Sequence, residues 1–357
     1  MALEHADDRA RRAGGEPGPD GARAATAEID VPDAVGTAAP TTAEIETNTF
    51  SGPITVPYRV ALGESGIDVH PLGLGATAIG RSPDAAADIL DRFAALGGDL
   101  VATAGTADGA QGEAVVGEWI SSRGTRDRVR LMTRVGPDRS GPAGPAITDA
   151  VHASLRRLGT DRIDLLAFHG EDPDVPLEES LGAVDALIAA GKVLAIGASG
   201  FSPERLIEAR VLAADGLPRF QVLSTRYSLV ERRAFEGAPE LVARAQGLGV
   251  LPSAALGGGV LGGGVRRPGD LRRLARAERR GRDFGRRTSR VLRVLDAVAA
   301  EHAAEPAAVA IAWLLSRPAV AAPVVGVDRP EHVDALMRAA SLVLTRSELV
   351  ELDRASS

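Results

Sequence analysis

From Pro71 onward, short apolar runs alternate with longer stretches in which apolar residues recur every three or four positions. The runs are Pro71–Gly75, Asp99–Thr103, Val129–Arg134, Ile163–His169, Val193–Gly197, Phe220–Ser224, Val250–Ser253 and Val320–Val325. Segments such as Pro83–Leu96, Ala146–Leu158 and Pro203–Ala214 separate them and carry the helical period. Eight brief buried strands with amphipathic helices between them predict an α/β fold of the (β/α)8 TIM-barrel class. An open doubly wound sheet is the competing layout. It normally carries Gly-x-Gly-x-x-Gly after its first strand, and Gly73-Leu-Gly75 lacks the third glycine.

Residues 1–52 break this rhythm. They are rich in Ala, Gly, Pro, Thr, Asp and Glu and contain one aromatic, Phe50. Such a segment cannot bury enough apolar surface to offset the entropy of ordering, which predicts a disordered extension over 1–52 and a barrel over 53–357. Branched and aromatic residues arrive together at Pro53-Ile-Thr-Val-Pro-Tyr58.

Composition narrows the chemistry. With no cysteine there is no thiol nucleophile, thiolate metal site or disulfide. A net charge of −7 gives no general reason to expect a nucleic-acid partner. The arginine-crowded stretch 266–293 is the local exception, read mainly as a solvated face and secondarily as a docking element for an anion or partner. No run of eighteen apolar residues and no apolar leader appears, so a cytoplasmic protein without a membrane partner is expected. The chain has one lysine, Lys192, and two tyrosines, Tyr58 and Tyr227. Its oligomeric state is left open.

In barrels of this class the chemistry sits at the C-terminal ends of the strands and in the loops after them. Several of those strand ends, with their flanking helices, resemble the aldo-keto reductases. The opening Tyr58-Arg-Val-Ala-Leu-Gly-Glu-Ser-Gly-Ile-Asp-Val-His-Pro-Leu-Gly-Leu-Gly75 is similar to that family's N-terminal hairpin and first strand. Ser154 to His169, Ile196-Gly-Ala-Ser-Gly-Phe-Ser202, Trp313-Leu-Leu-Ser-Arg-Pro318 and Pro323-Val-Val-Gly326 match later landmarks in order.

The resemblance implies an Asp, Tyr, Lys, His tetrad in which Tyr is the general acid. A carbonyl that accepts hydride must be protonated, and a phenol titrating near about 10 needs a neighbouring cation to do so at neutral pH. Residue by residue, Ala102 falls at the Asp position, Ala107 at the Tyr position and Arg134 at the Lys position, and His169 is retained. Arginine stays protonated at ordinary pH, so it cannot trade protons as that acid. Lys192 and Tyr58 belong to the barrel's opposite face. Tyr227, after the sixth strand, is the remaining phenol that could be a relocated acid.

For the cofactor, the resemblance implies NADP. It puts Ser199 and Gln221 at the nicotinamide carboxamide and Arg329 at the adenosine 2′-phosphate. Gly200, Ser253, His332, Ala335 and Leu336 replace other contacts, so no cofactor is expected to be held tightly. Gly257-Gly-Gly-Val-Leu-Gly-Gly-Gly264 matches a loop that covers the cofactor and is read as a lid. Glu171, Asp172 and Asp174 lack fixed ligand spacing, and no metal is expected.

The expectation is therefore a barrel that has lost ordinary carbonyl reduction. His169 and Arg134 are the expected catalytic pair, acting without redox on a small carbonyl or carboxylate ligand by elimination, isomerisation or cyclisation. An NADP-dependent oxidoreductase with an atypical site and a catalytically silent binding or regulatory protein are the alternatives.

Overall fold

The computed structural model of the chain describes residues 58–80, 83–105, 109–136, 144–172, 174–273 and 285–357. The expected extension 1–52, Ala107 and the middle of the arginine-rich stretch lie outside the described residues.

Ten strands are present among the described residues: β1 (Val60–Ala61), β2 (Asp68–Val69), β3 (Gly73–Gly75), β4 (Leu100–Ala102), β5 (Arg130–Val135), β6 (Ile163–His169), β7 (Val193–Ser199), β8 (Phe220–Arg226), β9 (Gly249–Ser253) and β10 (Val324–Val325). β1 and β2 form an antiparallel hairpin, and the other eight form one parallel sheet in the order β10-β3-β4-β5-β6-β7-β8-β9. The sheet closes on itself through residues just before β10. The Val250 N–H donates to Ala319 O at 2.9 Å, and Ala321 N–H donates back to Val250 O at 2.8 Å. Every strand expected from the apolar runs is found, and the architecture is the (β/α)8 barrel.

Period-two alternation along each strand divides the core in two. Outward side chains such as Leu131, Leu166, Phe168, Ile196 and Leu223 pack under the helical shell. Inward side chains (Leu100, Met132, Leu165, Ala167, Ala195, Val222 and Leu251) fill the barrel with Leu62, Ile67 and Val69 from the hairpin. The hairpin thus plugs the N-terminal end. Each fully buried Leu or Ile contributes roughly 1.5–3 kcal/mol, so a plugged bottom leaves the opposite mouth as the place where polar side chains can gather without loss.

The arginine-rich stretch proves partly structural. Arg287 Nε donates to Ser356 O at 2.8 Å and Arg290 Nε to Ala355 O at 3.0 Å. These carbonyls close the C-terminal helix Arg346–Ser356, where cationic donors satisfy orphan acceptors and oppose the helix dipole. Among the described residues no single helix is long and apolar enough to cross a membrane.

Candidate active site at the barrel mouth

The inward row of each central strand continues upward by the same alternation. Met132 is followed by Arg134 on β5, Ala167 by His169 on β6, Ala195 and Gly197 by Ser199 on β7, Val222 by Ser224 on β8, and Leu251 by Ser253 on β9. On β4, Leu100 is followed by Ala102. The sequence thus places one cation, one imidazole and three hydroxyls around the mouth, with a methyl group on the second barrel strand.

His169 and Ser199 are register partners, and His169 Nδ1 lies 3.3 Å from Ser199 Oγ. Ser199 is buried and His169 half-buried. Arg134 is offset: its register partner on β6 is Ala167, two residues short of His169. With strands about 4.8 Å apart and about 6.6 Å of rise over two residues, the two Cα atoms are ~8 Å apart, where matched height would give about 5 Å. To share a ligand with the imidazole the guanidinium would reach upward, and its long stem permits that.

Gln221 is not part of this group. It sits where the β7–β8 register shifts between Ile196 and Gly197, and its Oε1 accepts the N–H of Glu64 in the hairpin at 2.8 Å. That is the plugged end of the barrel, so the expected partnership of Gln221 with Ser199 is not formed. Ser224, buried and in register with Ser199, faces the mouth instead. Sequence reasoning did not single it out, although alternation from Val222 points to it.

Arg329 is exposed and immediately precedes the helix Pro330–Met337. Gly200 has φ +74, and a Cβ added there would meet nothing within 4 Å, so it supplies a left-handed turn and no side-chain amide. Ser199 Oγ is engaged with the imidazole, and Gln221 faces away. Of the two residues that the resemblance sets at the nicotinamide carboxamide, Ser199 is at the mouth and Gln221 at the plugged end.

The other expected groups have settled roles. Tyr227 is buried, packs against Phe235 and Trp313, and donates to Glu236 Oε1 at 2.8 Å. Burial first, and then the Glu236 carboxylate, push this phenol well above its ordinary range, so it stays protonated with its O–H directed at Glu236. Lys192 stands at the start of β7, where its carbonyl accepts the Ile163 N–H. Glu171 accepts from Ser202 N–H at 3.1 Å and Ser202 Oγ at 3.0 Å, binding the loop after His169 to the helix Pro203–Ala214. Among the described residues no group of three His, Asp or Glu side chains is placed to hold a metal ion.

The loop after β9 is less free than a lid. Ala255, Val260, Leu261 and Val265 are buried, which anchors the glycine-rich run from beneath. Ala254 at φ 52 begins it in the left-handed region, a conformation that costs an alanine about 1 kcal/mol and is held only by its surroundings.

Comparison with known proteins agrees with this barrel. An aryl-alcohol dehydrogenase from Pestalotiopsis microspora is 28% identical over 318 residues, covering 83% of this chain and 81% of its own. The aldo-keto reductase ausK of Aspergillus calidoustus is 30% identical over 329 residues, covering 83% and 81%. A norsolorinic acid reductase of Aspergillus flavus is 28% identical over 323 residues, covering 84% and 80%. With the model of the aldo/keto reductase family matching residues 71–357, the chain belongs to that family.

Proposed function

We propose that this barrel has exchanged hydride transfer for redox-independent chemistry on a small carbonyl or carboxylate compound held at the mouth. The supporting observation is the inward row of Arg134, His169 and Ser199 at the ends of three consecutive strands, beside a second strand that ends in Ala102. A carbonyl oxygen directed at Arg134 has its developing negative charge neutralised in a site partly shielded from water. His169, oriented by Ser199, takes a proton from the adjacent carbon as the electron pair moves to that oxygen. Return of the proton to a different carbon completes an isomerisation, and expulsion of a β-substituent completes an elimination. No step passes through a dinucleotide.

A second reading keeps NADP-dependent reduction. It is favoured by relatives named as reductases and dehydrogenases and by the exposed Arg329 before a helix N-terminus, where a phosphate is well received. Titrating the full chain with NADPH, followed by nucleotide fluorescence, separates the two. The first reading expects no saturation below ~1 mM, and a dissociation constant below ~1 μM would favour the second.

A further inference from the structure

His169 stands where β6 leaves the sheet. The next residue still belongs to the ladder, because Gly170 N–H donates to Ser199 O at 2.8 Å. Beyond that bond the chain turns into the loop that precedes the helix Leu177–Ala189. Two side chains hold this loop. Glu171 Oε2 accepts the Ser202 N–H at 3.1 Å and the Ser202 hydroxyl at 3.0 Å. The same Ser202 oxygen accepts the Arg205 N–H at 3.2 Å and so caps the helix Pro203–Ala214. A hydroxyl donates one bond while accepting another, so the two coexist.

Arg205 reaches back from that helix to the loop. Its Nη2 donates to Val175 O at 2.6 Å and to Asp172 O at 3.3 Å, while Nη1 pairs with Glu208 at 2.8 Å. A planar fork can serve two backbone carbonyls and a carboxylate together, and an ammonium cannot. The side chain is 17% exposed, so these are not the screened contacts of a surface ion pair.

Glu171 lies two residues past His169, and Ser202 three past Ser199. The Glu171–Ser202 bridge therefore ties the same two strand ends as the contact between His169 Nδ1 and Ser199 Oγ. We propose that Glu171 and Arg205 are positioning residues, which keep those ends together and so fix the ring nitrogen of His169 that carries the proton. The inference rests on the reading of His169 as the group that moves a proton at the mouth. At 3.3 Å the His169–Ser199 contact is already long for a hydrogen bond. A further widening of about 0.3 Å ends it, which is why a clamp on the loop matters to the ring.

Long-range proton–nitrogen spectra of the full chain, labelled in histidine, read the tautomer of each ring without substrate or assay. They are taken at about pH 8, where an ordinary imidazole is neutral, and His169→Gln assigns the signal. One tautomer of His169 should dominate in the native chain. Ser199→Ala should reduce its excess about fivefold, the worth of one net hydrogen bond. Glu171→Ala and Ser202→Ala should do the same, and Arg205→Lys should move the ratio in the same direction. Glu171→Gln keeps the acceptor oxygen and should stay near native. Should Glu171→Ala fail to fold, Ser202→Ala and Arg205→Lys carry the same test. A merely structural clamp would lower the melting temperature and leave the ring signals native, and that result overturns the proposal. A native ring already mixed between tautomers overturns it too, as does a Glu171→Gln ring that behaves as in Glu171→Ala. Failure of the mouth reading is seen separately, as native turnover in His169→Gln while the ring signals of the other variants respond as stated.

Discussion

His169 Nδ1 and Ser199 Oγ stand 3.3 Å apart on adjacent strands, and this contact decides which ring nitrogen works at the mouth. With Ser199 accepting, Nδ1 carries the proton and Nε2 is a base; with Ser199 donating, Nε2 carries it and is an oxyanion donor. His169→Ala is expected to lower turnover by roughly 10²- to 10³-fold with the fold intact. Ser199→Ala should cost less and shift the pH profile, because it frees the tautomer without removing the ring. Steady-state rates across pH on both variants check this, and identical profiles for Ser199→Ala and the native chain would remove the orienting role.

Arg134 is set two residues below His169 in register, so its reach matters as well as its charge. Arg134→Lys keeps the cation but shortens the fork, and Arg134→Ala removes both. If the guanidinium holds the ligand's oxygen, Arg134→Ala loses roughly 10²-fold in rate and Arg134→Lys a smaller part of it, with melting temperatures near native. A structural ion pair would instead show as a loss of ~1–3 kcal/mol of stability at unchanged activity. Melting and kinetics on the same two proteins discriminate the outcomes.

How far the sequence reached follows from what periodicity encodes. Strand existence was legible because runs such as Ile163–His169 are mostly apolar and bounded by helical period. Facing was also legible: His169 and Ser199 share the inward parity of Leu165 and Ala195. Stagger was not, since it depends on how neighbouring strands pair, and the Arg134–Ala167 register exists only in the assembled sheet. Gln221 was misplaced for a related reason. A register shift and a hydrogen bond to Glu64, 157 positions away in sequence, hold it at the plugged end, and nothing local to Phe220-Gln-Val-Leu announces either.

Tyr227→Phe should leave the mouth chemistry untouched and destabilise the barrel. The lost hydroxyl donates to Glu236, whose Oε1 still accepts from Arg232 Nε at 2.7 Å, so the carboxylate is not stranded. A cost of ~1 kcal/mol is expected from one buried hydrogen bond. Chemical denaturation measures it; a rate loss above tenfold without loss of stability would give Tyr227 a catalytic part.

Gly200→Asn should fold as the native chain does. The φ of +74 is one that asparagine tolerates better than other side chains, and a Cβ there meets nothing within 4 Å. Combined with Ala102→Asp, Ala107→Tyr and Arg134→Lys, it restores four of the residues that the family resemblance expects. Carbonyl reduction with NADPH should still fall short of an ordinary family member by tenfold or more, because Gln221 remains at the far end of the barrel and Ser253 offers no ring to stack, worth ~1 kcal/mol. Full recovery by the quadruple variant would show that Gln221 and Ser253 are immaterial to the cofactor.

Acid should weaken the fold in two separate windows. The first belongs to His70, buried beside Asp99. Burial, with Arg59 assisting and Asp99 opposing, holds the imidazole below its ordinary value. As pH falls below about 6.5, the unfolded chain binds a proton that the folded chain refuses, so stability declines there. The second belongs to Glu348. Burial pushes this carboxyl up, but the Thr345 N–H, the Thr345 hydroxyl and His302, 2.7 Å away, together bring it below its ordinary value. A depressed carboxyl contributes stability that is fully present above the ordinary glutamate value and is lost as pH falls through the lowered one. Glu348 also completes the capping box of the helix Arg346–Ser356, a device whose loss costs about 1 kcal/mol. Melting temperatures from pH 8 to about 3 should therefore fall in two steps. His70→Leu should remove the upper step alone. Glu348→Gln should lower stability at neutral pH and flatten the lower step, and an undiminished lower step in that variant would assign it to other carboxylates.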